Sequence, residues 1–229
     1  MENNNPQHVA IILDGNRRFA KRLMQEPWKG HEYGFKKVET ILDHAREIGL
    51  KEATLYCLSV ENIKKRPKEE LEFLYKIFRK MFKDLDKDKI EKYKIRINFI
   101  GKLELLPKDL KEQCENLKEE TKNNQGFIVN YAVAYGGRQE IIDAIKKIIK
   151  DKIKPEEISD EIIKNNLYLQ NEPDLIIRTG GETRTSNFLP WQSSYSEWFF
   201  LNKMWPEFET KDLDQCIEDF KKRKRNFGK

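Results

Sequence analysis

No stretch of this 229-residue sequence stays apolar for the roughly 18 residues that a membrane-crossing helix needs. The opening residues, Met-Glu-Asn-Asn-Asn-Pro-Gln, lack the basic start and apolar centre of a secretory signal. A cytosolic location is expected. Cysteine is scarce: Cys57, Cys114 and Cys216 are odd in number and have no metal-ligand spacing, which suits reduced thiols and argues against a disulfide framework. There is no GxxxxGK[ST] loop and no GxGxxG after a strand, so two common solutions to phosphate binding are excluded. A Ser-His-Asp arrangement, a Cys/His cluster, internal repeats and low-complexity segments are also missing.

What remains is polar but patterned. Hydrophobic residues make up 38% and charged residues 36% of the chain, yet the apolar ones are grouped into strands and helix faces, as a folded protein requires. The 44 basic and 39 acidic residues nearly cancel to +5, which reads as solvated helix surface and implies no nucleic-acid partner. No linker divides the chain, so a single domain over residues 1–229 is expected.

The element on which the rest turns is His8 to Arg22. An apolar run from Val9 to Leu13 stops at Asp14 and is followed by Gly15-Asn16 and then Arg17-Arg18: a buried strand delivers a carboxylate and an amide-rich turn to one point. Apolar residues at Tyr33, Val38, Ile41, Leu42, Ala45 and Ile48 predict a helix closed by Gly49. Ala53 to Leu58 predicts a second buried strand, joined to the first by a right-handed parallel crossover. Pro67 starts a helix whose stripe from Leu71 to Leu85 is wide and aromatic; it is either ordinary core or the wall of an apolar cavity. Further strands are predicted at 94–100, 127–134, 174–177 and 198–201, and helices at 108–122, 139–150, 159–169 with Ser159 as N-cap, and 212–222. Alternating strands and helices define an α/β fold, a mostly parallel central sheet covered on both faces.

Open parallel sheets bind ligands beyond the carboxyl ends of their strands. The residues following the strands are Asp14, Gly15, Asn16, Arg17 and Arg18; then Ser59, Glu61 and Asn62; then Gly136, Gly137 and Arg138; then Arg178, Gly180, Gly181, Glu182, Arg184 and Ser186. Carboxylate, amide, hydroxyl, glycine and guanidinium together are equipment for phosphate groups and a hard cation. Backbone N–H groups at a helix start and the Arg18 fork would hold one phosphate. Asp14 would hold Mg²⁺, which favours one or two carboxylates plus substrate oxygens. Arg178, Arg184 and Ser186 form a second anion pocket.

Those residues, with HVAIILDGNRRFA, GHEYG at 30–34, TLYCLSVEN at 54–62, NYAVAYGGR at 130–138 and DLIIRTGGETRTSNFLPWQSSYSEWFF at 174–200, resemble the cis-prenyltransferases, and among them the bacterial undecaprenyl diphosphate synthases. The resemblance implies successive cis condensation of isopentenyl diphosphate onto farnesyl diphosphate. Its product would be a lipid-carrier precursor for cell-wall synthesis, grown in an apolar tunnel and delivered at the inner membrane face. It further implies Mg²⁺ on Asp14 with Glu197, allylic diphosphate on Gly15, Asn16, Arg17 and Arg18, and roles for His31, Ser59, Glu61, Asn62 and Arg66. Isopentenyl diphosphate falls to Arg178, Arg184 and Ser186. A homodimer would form through the aromatic region Trp191, Tyr195, Trp198, Phe199, Phe200 and Trp205. The pattern departs from the family at Arg17 and Phe19, at Pro27, where an arginine is usual, and before Arg66-Pro67. Two other readings are a phosphate- or nucleic-acid-binding module and a non-catalytic scaffold subunit; the latter would lack Asp14 and the arginines that this chain keeps.

Overall fold

The computed structural model describes residues 5–223. Six strands, β1 (His8–Ile12), β2 (Glu52–Ser59), β3 (Arg96–Ile100), β4 (Ile128–Tyr135), β5 (Leu175–Arg178) and β6 (Glu197–Phe200), form one sheet in the order β3-β4-β2-β1-β5-β6. Every neighbouring pair is parallel. The connections are α1 (Asn16–Arg22), α2 (Gly30–Glu47), α3 (Val60–Lys65), α4 (Lys68–Lys83), α5 (Lys87–Lys92), α6 (Lys108–Thr121), α7 (Gly137–Lys150), α8 (Asp160–Asn166) and α9 (Thr210–Lys222). The expected elements are present with their ends moved by a few residues. Ser59 and Ser159 both act as N-caps, accepting from the N–H of Asn62 and Ile162.

Side-chain alternation along β1 explains the layers. Val9 and Ile11 enter a core shared with α2, α4, α6 and α9. Ala10 and Ile12 point the other way, into a second core with Leu169, Phe188 and Leu189. All four are fully or nearly fully buried, and burying each larger side chain contributes about 1.5–3 kcal/mol. Helix α7 joins the second face through Glu140, whose carboxylate accepts from the Tyr135 hydroxyl at 2.5 Å and the Leu169 N–H at 3.0 Å.

Beside the site the ladder between β2 and β4 is irregular. Tyr56 pairs with Ala132, Leu58 with Val133 and Ser59 with Tyr135. Cys57 is therefore an extra residue on β2, and Ala134, at φ +52°, is an extra residue on β4. Cys57 and Leu58 consequently both face the α2/α4 core.

The aromatic region expected to be a contact surface is divided by the fold. Trp205 and Phe199 are buried in the core, Trp205 donating its indole N–H to the Gly34 carbonyl at 2.8 Å. Tyr195 and Phe200 remain exposed. The basic tail beyond Arg223 lies outside the described residues.

Candidate active site

The carboxyl ends of β1, β2 and β5 converge. After β1 the chain turns at Gly15, whose φ of +104° suits a residue without Cβ. Asn16 then lies so close to α2 that a Cβ at Gly34 would strike its side-chain oxygen. Asp14 is tied on both sides. Its Oδ1 accepts from the Gly15 N–H at 2.6 Å and lies 3.4 Å from Arg18, while Oδ2 accepts from Arg178 at 2.8 Å. Arg178, buried at the end of β5, also donates to Ser186 Oγ at 2.8 Å and to the Arg184 carbonyl. The Thr179 hydroxyl, 2.8 Å from the Asp14 carbonyl, fastens the two strand ends. One carboxylate thus links the two anion pockets.

A second group stands across the opening. Glu70, in the first turn of α4, is 1% exposed. Its Oε1 lies 3.4 Å from Arg66, 3.7 Å from Arg17 and 3.8 Å from His31. The His31 ring first, then the guanidiniums of Arg66 and Arg17, hold the Glu70 carboxyl below its usual range. Burial lowers the affinity of His31 for a proton. Glu70 Oε1, His31 Nε2 and Arg66 Nη1 are buried without a hydrogen-bond partner, as are Asn16 Oδ1 and Arg178 Nε. Arg66 does donate through Nη2 to Asn62 at 3.2 Å.

These groups surround a cavity of about 310 Å³ lined by Asp14, Asn16, His31, Ser59, Asn62, Arg66, Arg178, Arg184 and Ser186. Its floor is apolar, with Leu74, Ile77, Phe78 and Met81 from α4. Phe35, Val38 and Met81 also line a second cavity, of about 390 Å³, which continues between α2, α4 and the sheet past Leu42, Ile95, Phe127 and Tyr131. The aromatic stripe of α4 is therefore both core and cavity wall.

Most of the sequence-derived residues meet here. Gly15, Arg17, Arg18 and Glu61 sit beside the cavity, Glu61 accepting from Asn187 at 2.9 Å. Burial would raise the Glu61 carboxyl, but hydrogen bonds from its own N–H, Asn187 and Ser59 hold it below its usual range. Arg66 points inward, whereas Lys65 is exposed. Glu197 is not brought to Asp14. It begins β6, in register with Leu175 and, through it, Val9; five residues of β rise put it about 16 Å from Asp14 along the strand direction. Its carboxylate pairs with Arg223 instead. Arg22 pairs with Glu207 at 2.5 Å.

Glu70 and Asn187 were not foreseen. Glu70 carried a signal, being a charged residue four after Arg66 at the head of an apolar stripe. Asn187 shows its role only in three dimensions: its side chain receives the Arg138 N–H at 2.9 Å while its amide donates to Glu61.

Fold and site together define an α/β protein built to hold anionic head groups at the mouth of an apolar channel. The chain matches, over residues 12–228, a family model described as putative undecaprenyl diphosphate synthase. A tritrans,polycis-undecaprenyl-diphosphate synthase (geranylgeranyl-diphosphate specific) of Pyrococcus abyssi is 46% identical over 98% of this chain and 87% of its own length. An isoprenyl transferase of Streptococcus thermophilus is 41% identical, covering 98% and 94%. Among solved structures, lavandulyl diphosphate synthase of Lavandula x intermedia, in complex with dimethylallyl diphosphate, superimposes with a TM-score of 0.94 at 31% identity over the whole of both chains. A probable undecaprenyl diphosphate synthase of Campylobacter jejuni gives 0.83 at 32% identity, covering 98% and 99%. This chain belongs to the cis-prenyltransferase family.

Proposed function

We propose that the chain condenses isopentenyl diphosphate repeatedly onto an allylic diphosphate, making a cis double bond at each step and ending at a chain of undecaprenyl length. The observation that carries this reading is a guanidinium-rich cavity that shares Phe35, Val38 and Met81 with a largely apolar cavity behind it. Such a site suits a substrate with a diphosphate head and a hydrocarbon tail, and little else.

In this reading the allylic diphosphate lies against the free N–H groups at the start of α1 and the Arg18 guanidinium, its tail running along α4. Isopentenyl diphosphate binds next to it on Arg178, Arg184 and Ser186. The bond between the allylic carbon and its diphosphate breaks, and the electron pair leaves with the diphosphate. The double bond of isopentenyl diphosphate attacks that carbon, and a proton is then lost to form the new alkene. Asn62 and His31 line the cavity and are the side chains we assign to guiding that proton; burial lowers the affinity of His31 for a proton of its own. Holding the two reactants side by side, with fixed positive charge facing the leaving group, supplies much of the rate.

Asp14 is the only carboxylate among the described residues lining this cavity. No group of three or more His, Cys, Asp or Glu among the described residues forms a complete metal cage. That donor set fits Mg²⁺ held by one carboxylate and completed by substrate oxygens. When bound, the ion would neutralise charge on the departing diphosphate.

Two primers fit the reading. Farnesyl diphosphate is implied by the sequence motifs. Geranylgeranyl diphosphate is the primer for which the archaeal relatives are specific. Labelled isopentenyl diphosphate offered with each primer, with and without Mg²⁺, separates them; absence of extractable polymer with either primer overturns the function. We also propose a second copy of the chain as partner. Tyr195, Phe200 and the outward Ile142, Ile145 and Ile149 of α7 are exposed apolar side chains suited to it. We further propose that the long apolar product is handed over at a membrane surface; no helix among the described residues is long and apolar enough to cross a membrane.

A further inference from the structure

Helix α5 has no buried residue, yet it closes one side of the far apolar cavity, to which it contributes Lys89 and the half-buried Ile90. Its attachment is polar. Lys89 Nζ donates to Glu39 at 2.7 Å and Asp43 at 2.8 Å, both on α2. Arg46, one turn further along α2, stacks its guanidinium 3.7 Å over the ring of Tyr93, the residue that ends α5. Asp86 caps the start of the helix. Lys89 is only 27% exposed in its side chain, and it joins elements some 50 residues apart in sequence across the rim of the cavity. Glu39 is largely exposed, so the sheltered half of the clamp is the pair of Lys89 with Asp43, which a freely solvated surface pair does not resemble.

We infer that Lys89, clamped between Glu39 and Asp43, is a latch that holds α5 over the far end of the channel and thereby limits product length. The inference rests on the prenyl-transfer reading. Each condensation adds five carbons at the diphosphate end, so the oldest end of the chain advances toward Ile90, Ile95 and Phe127. Ile95 and Phe127 belong to the sheet core and have little freedom to give way. The wall formed by α5 reaches that core only through the half-buried Ile90 and the flanking Leu85 and Tyr93, so the clamp adds to a thin apolar anchorage and sets how far the wall yields.

The test compares wild type with Lys89→Ala, Lys89→Arg and the charge exchange Lys89→Glu with Asp43→Lys, sizing products made from labelled isopentenyl diphosphate. Lys89→Ala is expected to lengthen the longest product by at least one five-carbon unit, with the rate of the first condensation within about twofold of wild type. Lys89→Arg and the charge exchange should retain wild-type length. Unchanged or shorter products from Lys89→Ala would overturn the latch. If wild type itself makes no polymer, the functional reading fails, and hydrogen exchange then decides the latch. Amides of residues 87–92 should exchange at least tenfold faster in Lys89→Ala; equal exchange overturns it.

Discussion

Two polar networks are buried in the same sheet, one at each end, and they are built to opposite standards. At the amino end, Asn130 donates to Glu52 at 2.6 Å and Thr54 at 2.9 Å and accepts from Asn98 at 3.0 Å. Asn171 satisfies the other Glu52 oxygen at 2.6 Å, and His8 meets Thr54 at 2.8 Å. Only His8 Nδ1 is left over there. At the carboxyl end, five buried polar atoms of Asn16, His31, Arg66, Glu70 and Arg178 have no partner. An unpaired buried polar atom costs about 1–3 kcal/mol. The amino end is arranged for stability, whereas at the carboxyl end Asn16, His31, Arg66 and Arg178 line the cavity in which a ligand would satisfy them, and Glu70 Oε1 faces Arg66 at 3.4 Å as a charge partner behind it.

The largest effect that would break this contrast is on turnover. Asp14→Ala is expected to lower kcat of the folded fraction about a thousandfold, a transition-state loss of ~4 kcal/mol, and also to lower the melting temperature, because the buried Arg178 loses its carboxylate partner. A loss smaller than about tenfold, ~1.4 kcal/mol, would remove Asp14 from the chemistry. The complementary change, Asn130→Ala, should cost about 3 kcal/mol in urea unfolding, because Glu52 loses a buried partner, and should leave kcat of the folded fraction unaltered. A kcat defect there would mean that the two ends are coupled.

The smallest expected effect is in the pH dependence. Burial lowers the folded-state pKa of both His8 and His31, so each contributes stability that is lost as pH falls below the unfolded value of about 6.5. Glu70, held below its usual range by His31, Arg66 and Arg17, contributes stability that is lost at lower pH, as its folded pKa is crossed. Unfolding free energy should be flat near neutrality and decline by up to about 1.4 kcal/mol per pH unit for each histidine below that point. His31→Asn should remove one part of the slope and leave the His8 part. An unchanged slope would place His31 outside the titration.

Much of this was legible in the sequence. The runs at Val9–Leu13, 53–58, 127–134 and 174–177 are apolar because both faces of a parallel sheet are covered, and the polar residues that follow them mark the binding edge. Two helices were not legible. The six residues of α3 are too few to show a period, and α5 buries nothing that could make a stripe. A motif records neighbours along the chain, so it does not show that β6 begins at the far end of the sheet from Asp14 and keeps Glu197 away from Asp14 within one chain. Composition does not distinguish Trp205, packed on Gly34, from Tyr195, exposed to solvent, so the aromatic run reads as one surface.

The paired irregularities in β2 and β4 carry a consequence for how this fold tolerates insertion and deletion. Cys57 and Ala134 each add one residue, and the additions cancel, so that Ser59 and Tyr135 pair as an unbroken ladder would pair them. Removing either residue alone would slip everything downstream by one position and reverse which side chains meet the channel. Removing both would keep the strands aligned while erasing the local step. Strand length here is thus a property of two distant codons jointly, and one can change safely only with the other.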